Sequence, residues 1–148
     1  MPNFVFRLQS VLQVRAAQRD QRRQEMAGLL ASEQSLQDRL AELDGELHVL
    51  SAELANWNGA IDLAHRLDVD RYAMILRADR KQVEQAAIEL DAKITLKRQE
   101  LLTADRDVRS LEKLREQQQE AFAADQRRRE QRELDEVAAR APVSLREV

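Results

Sequence analysis

Apolar residues from Met26 onward recur at alternating spacings of three and four, which is the pattern of a coiled-coil seam. The pattern holds for five heptads and predicts a first helix over about residues 4–61. One track of the seam holds Met26, Leu40, Leu47, Leu54 and Ile61, and the other holds Leu29, Leu36, Leu43, Leu50 and Trp57.

A second apolar run begins near Asp70 and predicts a second helix over about residues 71–140. Ile61 and Ala73 hold the same heptad position but lie twelve residues apart, so the seam is interrupted between them. Asp68 and Asp70 are candidate N-caps. We therefore expect a turn at about residues 62–70. The second run comprises Ala73, Leu76, Val83, Ala87, Leu90, Ile94, Leu101, Ala104, Val108, Leu111 and Phe122.

Folding the second run back on the first opposes apolar residues when facing residue numbers add up to about 130. The same rule sets Glu33 opposite Lys97, a polar pair of opposite charge that would define the register. A parallel dimer of one continuous helix would instead oppose Glu33 to its own copy, which is unfavourable. The fold class predicted is all-α, a long antiparallel two-helix coiled-coil hairpin forming one domain over residues 1–148, monomeric when free.

Three arginines, Arg15, Arg19 and Arg22, occupy seam positions of the first helix. The rule of 130 sets them opposite Arg115, Leu111 and Val108. In one interpretation their stems lie along the seam and their heads reach solvent or acids such as Glu112 and Glu116. In the other, a partner protein completes this part of the seam. From about residue 127 the second helix has no facing helix. Pro142 should end it, leaving a frayed tail over residues 141–148.

Composition supports an elongated helical protein, because charged residues make up 34% of the chain and aromatic residues only 3%. The net charge of −3 mixes acids and bases, so no overall field favours nucleic acid or a membrane surface. There is no cysteine. The N-terminal residues lack the pattern of a secretory signal, and apolar runs are far shorter than the roughly 20 residues of a membrane span. We expect a cytoplasmic protein without membrane insertion.

Residues that carry chemistry are sparse. His48 and His65 lack the spacing of a metal site, and three isolated glycines cannot form a phosphate-binding loop. Carboxylates on an exposed helix lack the desolvated pocket that tunes a general acid or base. The run of arginines at residues 127–129 is offset by neighbouring acids and has no interleaved aromatic residues. We therefore expect no enzyme activity, no cofactor, no metal and no nucleic acid partner.

Two motifs at the ends of the chain resemble the flagellar export protein FliJ family. The segment FVFRLQSVL from Phe4 to Leu12 is similar to the start of that family. The segment EQRELDEVAAR from Glu130 to Arg140 is similar to its Glu-rich ending. The layout between them also matches, with Tyr72 three residues ahead of an apolar residue at the start of the second helix.

The resemblance implies a cytoplasmic, non-catalytic component of the flagellar type III export apparatus, at the flagellar base, with a fold similar to the central stalk of rotary ATPases. Such a stalk would bind and stimulate the hexameric export ATPase and reach the cytoplasmic domain of the export-gate membrane protein. Export chaperones are further partners that the resemblance implies.

Carried over to this chain, the resemblance implies an ATPase side formed by the first 25 residues and the stretch from Glu130 to Arg140. It also implies an export-gate side around the turn. Asp79 departs from the apolar residue that the family often has there. The implied ATPase-side residues are Arg15, Arg19, Arg22, Glu130, Leu134, Asp135 and Glu136, and the implied gate-side residues are Tyr72, Ile75 and Leu76.

Other classes of function remain open at this point. Tyr72, Met74 and Ile75 form either a docking patch or a local contact against Trp57. A structural or scaffold coiled coil unrelated to secretion would self-associate and need apolar residues on its outer faces. Outer positions such as Gln37 and Asp91 are polar instead. A holdase chaperone for export substrates is also compatible with the sequence.

Overall fold

The structure, a computed structural model, describes residues 2–56 and 63–141. It holds two helices, α1 (Gln9–Ala55) and α2 (Leu63–Arg140), and no strand within those two ranges. The helices run antiparallel, because Arg22 near the start of α1 meets Glu100 while Asp44 further along meets Arg80. The predicted all-α hairpin coiled coil is confirmed.

Contacts divide the chain into two compact units. The terminal unit combines residues 1–19 with residues 104–148, and the turn unit comprises residues 20–103. Each unit contains part of α1 and part of α2, and each has its own buried side chains. The heptad pattern runs through both and did not predict this division.

The terminal unit has a small core in which Phe6, Leu12 and Val108 are buried. Phe4 packs on this core and its ring lies 5.7 Å from that of Phe122, centroid to centroid. Val5, between the two phenylalanines, is 77% exposed. This alternation has the period of two of an extended segment, not of a helix. The prediction that the first helix begins at about residue 4 was therefore wrong, and α1 begins at Gln9.

The turn unit buries one apolar stripe on each helix, as expected of a coiled-coil seam. Among its described residues, every buried side chain is apolar. Trp57 and Ile61, which were predicted to end the first seam, lie outside the described residues. The buried side chains are Met26, Leu43, Val69, Ala73, Leu76 and Ile94.

The predicted turn at residues 62–70 was wrong, because residues 63–70 belong to α2. α1 ends at Ala55 and α2 begins at Leu63, so the connection lies earlier in the sequence. Residues 63–70 contain no glycine or proline that would interrupt a helix. Asp68 and Asp70 suggested caps, but acidic residues are also tolerated inside a helix. At its other end α2 stops at Arg140, two residues before Pro142, which cannot donate a helical hydrogen bond.

The predicted pair of Glu33 and Lys97 does not form. The Nζ atom of Lys97 lies 3.2 Å from an Oε atom of Glu25 and 3.2 Å from one of Glu100. The hydrogen bond to Glu100, followed by the interaction with the Glu25 carboxylate, raises the pKa of Lys97. Glu33 is half-buried, and it has no ion pair or hydrogen-bonded side chain within the described ranges.

The helices are therefore paired in a different register from the predicted one. The residue numbers of Arg22 and Glu100, and of Glu25 and Lys97, each add up to 122 instead of about 130. When the connection between two antiparallel helices lies earlier in the sequence, the numbers of facing residues add up to less. A change of one heptad again opposes apolar residues to apolar residues, so the seam pattern alone could not distinguish the two registers.

Replacing Leu43 with alanine should lower the free energy of unfolding by about 2–5 kcal/mol, because its side chain is 0% exposed and truncation leaves a cavity. Leu30, which is 43% exposed on the same helix, supplies the control. Leu30→Ala should cost well under half as much. Urea unfolding followed by circular dichroism measures both, and equal losses would contradict the assignment of Leu43 to the seam.

Candidate partner-binding surfaces

Ion pairs along the edges of the seam join the two helices of the turn unit. The Arg80 Nε atom lies 2.6 Å from an Oδ atom of Asp44, and the Arg39 Nη2 atom lies 3.3 Å from one of Asp79. The hydrogen bond to Asp44 is the main cause that raises the pKa of Arg80. These pairs are exposed, so they contribute little stability but favour one alignment of the helices.

The three seam arginines of α1 reach acidic side chains. In the terminal unit, Arg15 lies 3.8 Å from Asp107. In the turn unit, Arg22 lies 2.8 Å from Glu100 and 3.5 Å from Glu25.

Arg19 is half-buried and also has an interaction partner. The heads of Arg15 and Arg22 therefore reach acids, as in the first interpretation. Arg19 and Arg22 are half-buried, whereas Arg15 is exposed and its neighbour Ala16 packs on the core in its place. The predicted facing residues were wrong, since Val108 packs with Leu12 and Phe6 instead of facing Arg22. The acids are likewise Asp107, Glu100 and Glu25 rather than Glu112 and Glu116, because the register is shifted.

Residues 127–140 of α2 are exposed without exception, and we call this stretch the C-terminal extension. The four implied ATPase-side residues of α2 all lie in it. Its polar side chains pair within the helix, as in the contact of 2.7 Å between Arg140 and Glu136. Among the described residues no helix covers this stretch, which agrees with the prediction that α2 has no facing helix from about residue 127. Those four residues are Glu130, Leu134, Asp135 and Glu136.

The extension carries its apolar residues on a different face from the seam. Counting heptads onward from Val108 and Leu111 leads to Arg129 and Arg132, which are charged. Leu134 and Val137, 64% and 68% exposed, lie at other heptad positions. A partner that docks here would therefore meet a surface unlike the one that α1 covers.

Near the connection, Tyr72 and Ile75 project from α2. The Tyr72 hydroxyl donates a hydrogen bond of 3.1 Å to Glu46 of α1. Ile75 is 62% exposed and has no covering helix among the described residues. This favours a docking patch for Ile75. Packing of the patch against Trp57 stays untested, since Trp57 lies outside the described residues.

The resemblance implied Leu76 as a gate-side residue and marked Asp79 as a departure from the family pattern. Both residues contribute to the structure of the hairpin itself. Leu76 is 4% exposed, so it belongs to the seam and its side chain is not available to a partner. Asp79 accepts a hydrogen bond from Arg39 on α1. The acid that departs from the family pattern therefore serves the pairing of the helices.

Exposed apolar residues on α2 that the sequence reasoning missed include Ile88 and Leu102, each more than half exposed. Together with Met74 of the predicted docking patch they repeat every fourteen residues, which is two heptads, so all three lie on one side of the helix. Their regular spacing was the available signal. Polar residues at other outer positions, such as Asp91, gave the impression that the outer faces are polar throughout.

Neither helix contains a window long and apolar enough to cross a membrane. Within residues 2–56 and 63–141, no three of the side chains that typically bind metals form a cluster that could hold an ion. His65 does have an interaction partner. The surfaces described above are suited to contacts with proteins, through exposed aliphatic side chains bordered by charges.

Comparison with known proteins adds a family to this description. The fold is that of a two-helix coiled-coil protein with exposed helical faces. A family model described as flagellar FliJ protein matches residues 4–144. No curated protein and no solved structure matches the chain.

The chain belongs to the flagellar FliJ family. That membership makes it a protein associated with flagellar export, in a family of non-enzymatic components. The family resemblance noted at the two ends of the sequence is thereby confirmed.

Tyr72 is the only tyrosine, so its ionisation can be followed by ultraviolet absorbance. The hydrogen bond to Glu46, and then the charge of that carboxylate, raises the pKa of Tyr72 above its ordinary value of 10.0. Glu46→Gln removes the charge and should lower the midpoint of the absorbance titration. Glu53→Gln, an exposed acid on the same helix, supplies the matched control.

The sign of the accompanying stability effect follows from linkage. A raised pKa means that the folded state holds the phenolic proton more tightly than the unfolded state. The contact between Tyr72 and Glu46 therefore gives its full stabilisation of the fold below about pH 10, the ordinary pKa of tyrosine. This stabilisation is lost as the pH rises through the raised pKa. Identical titrations of the wild type and Glu46→Gln would contradict the contact.

Proposed function

We propose that this chain is a cytoplasmic stalk of the flagellar type III export apparatus. In this proposal it binds and stimulates the hexameric export ATPase and also contacts the cytoplasmic domain of the export-gate membrane protein. It acts at the flagellar base as a monomer and also handles export chaperones. Membership of the FliJ family over residues 4–144 is the observation that carries the proposal.

The ATPase side is proposed to comprise the C-terminal extension, Arg15 and Arg19 of the terminal unit, and Arg22 of the turn unit. A ring that encloses these residues would cover the exposed Leu134 and Val137, and its walls would exchange charges with the surrounding arginines and acids. The charged seam positions Arg129 and Arg132 supply polar groups for such an enclosure. Because both signs of charge are interleaved, the fit depends on the pattern of charges more than on their sum.

The gate side is proposed to centre on Ile75, with Tyr72 and Met74 beside it on the same turn of α2. These side chains are exposed and aliphatic or aromatic, which are the residue types that anchor protein interfaces. Leu76 has a different part in this proposal. Its buried side chain supports the turn of helix that carries the patch.

Replacing Arg15, Arg19 and Arg22 together with leucine should raise the melting temperature yet return ATP hydrolysis by the ring to near its basal rate. Leucine at the two half-buried positions, residues 19 and 22, buries more apolar area, worth on the order of 1 kcal/mol per position. Exposed ion pairs such as Arg22 with Glu100 contribute less. Thermal denaturation and hydrolysis by the purified ring with added variant measure the two effects.

The matched control for this test changes three exposed arginines of α2, Arg71, Arg77 and Arg98, to leucine. This variant should keep normal stimulation without the rise in melting temperature. A seam variant that stimulates normally would refute the arginines as the ATPase side. Wild-type protein that fails to stimulate the ring at all would refute the stalk proposal itself.

Ile75→Asp should weaken binding to the purified cytoplasmic domain of the gate by about tenfold or more, as loss of an interface anchor does. It should leave the helix content unchanged, because the side chain is 62% exposed. Ile88→Asp introduces the same charge at a residue 65% exposed on the same helix and should bind normally. Equal affinity of the two variants, measured by calorimetry, would place the gate contact elsewhere.

A further inference from the structure

The seam of the turn unit is compatible with more than one register. In the observed register, facing residue numbers add up to about 122, as for Arg22 and Glu100. That register places Leu36 near Ala87. A register displaced by one heptad, with sums near 130, places Leu36 near Ile94 and again opposes apolar residues along the seam.

Glu33 is the first observation that points to the displaced register. It is half-buried at a seam position and has no ion pair or hydrogen-bonded side chain in the part of the chain that the structure describes. Partly burying a carboxylate without a partner is unfavourable. Displacement by one heptad would bring Glu33 opposite Lys97 and so supply the missing positive charge.

The start of α2 is the second observation. Residues 63–68 are helical but exposed, and Val69 is the first buried residue of the helix. Unwinding these two turns would therefore uncover little apolar surface. Asp68 and Asp70 could then cap a shortened helix, since aspartate is a favoured N-cap residue. Unwinding would also lengthen the connection between the two helices, and the displaced register requires a longer connection.

The ion pairs of the turn unit that favour the observed register are weak. Arg39 with Asp79 and Arg80 with Asp44 are exposed pairs, which salt screens. In the terminal unit, the displaced register would set Arg15 against Arg115 in place of Asp107, which is unfavourable. The displaced register would also separate Val108 from Leu12 and Phe6, so the observed register is the major one.

We propose that α1 and α2 exchange between the observed register and a minor register displaced by one heptad, in which Glu33 pairs with Lys97 and α2 begins near Asp68. The exchange is a conformational device of the hairpin itself. A ligand that binds one register better than the other would shift the populations.

Disulfide trapping tests this proposal directly, because the chain has no cysteine of its own. Leu36→Cys with Ala87→Cys reports the observed register, and Leu36→Cys with Ile94→Cys reports the displaced one. Seven residues of helix span about 10 Å. Because a disulfide needs Cα atoms within about 7 Å, each pair can close in only one register.

A third pair, Leu36→Cys with Leu101→Cys, is the control for general separation of the helices, since it lies a further heptad away. Oxidation at low protein concentration, followed by mass spectrometry of the monomer, measures the three rates. The pair at residues 36 and 94 should close more slowly than the pair at 36 and 87. It should close about tenfold faster than the pair at 36 and 101. Equal rates at 94 and 101 would overturn the proposal.

Glu33→Lys supplies a second measurement that does not depend on the cysteine geometry. The change would oppose two lysines in the displaced register, whereas in the observed register Glu33 has no partner to lose among the described residues. Closure between residues 36 and 94 should slow by about threefold or more. Closure between residues 36 and 87 should stay unchanged. Unchanged closure at both pairs would show that Glu33 and Lys97 do not meet.

Discussion

Burial of one apolar stripe from each helix is the interaction on which the remaining structure depends. Within the described residues every buried side chain is apolar, and Leu43 and Val108 are fully buried. Neither helix could bury those residues alone, so pairing drives both to form. Polar groups are left at the edges of the seam, where pairs such as Arg80 with Asp44 favour one alignment over others.

Heptad spacing carried enough information to predict the fold, because a seam of alternating threes and fours has few other solutions. It could not locate the connection, since the residues at 63–70 suit either a capped start or the interior of a helix. The predicted register was wrong for the same reason, because displacing one helix along the other by a heptad still places apolar residues opposite apolar residues. The prediction of where α1 begins was wrong for another reason. Phe4 and Phe6 are held by contacts with α2, including Phe122, that lie far away in sequence.

The candidate surfaces were predictable where exposure follows from the lack of a facing helix, as in the C-terminal extension. They were less predictable where a family pattern was transferred without a structure. Leu76 is buried in the seam, although its neighbour Ile75 is exposed. The partners of the seam arginines depended on the register and shifted with it. Ile88 and Leu102 were overlooked because single polar positions were taken to represent a whole helical face.

The unaccompanied C-terminal extension has a thermodynamic consequence for whatever binds it. Most of the stability of a helix in a protein comes from packing of its apolar face, and among the described residues no second helix packs on residues 127–140. Their backbone amides should therefore open and exchange with solvent far more readily than those around Val108. A partner that seats this segment must provide the free energy that orders it, so part of the contact energy is consumed and the complex remains readily reversible.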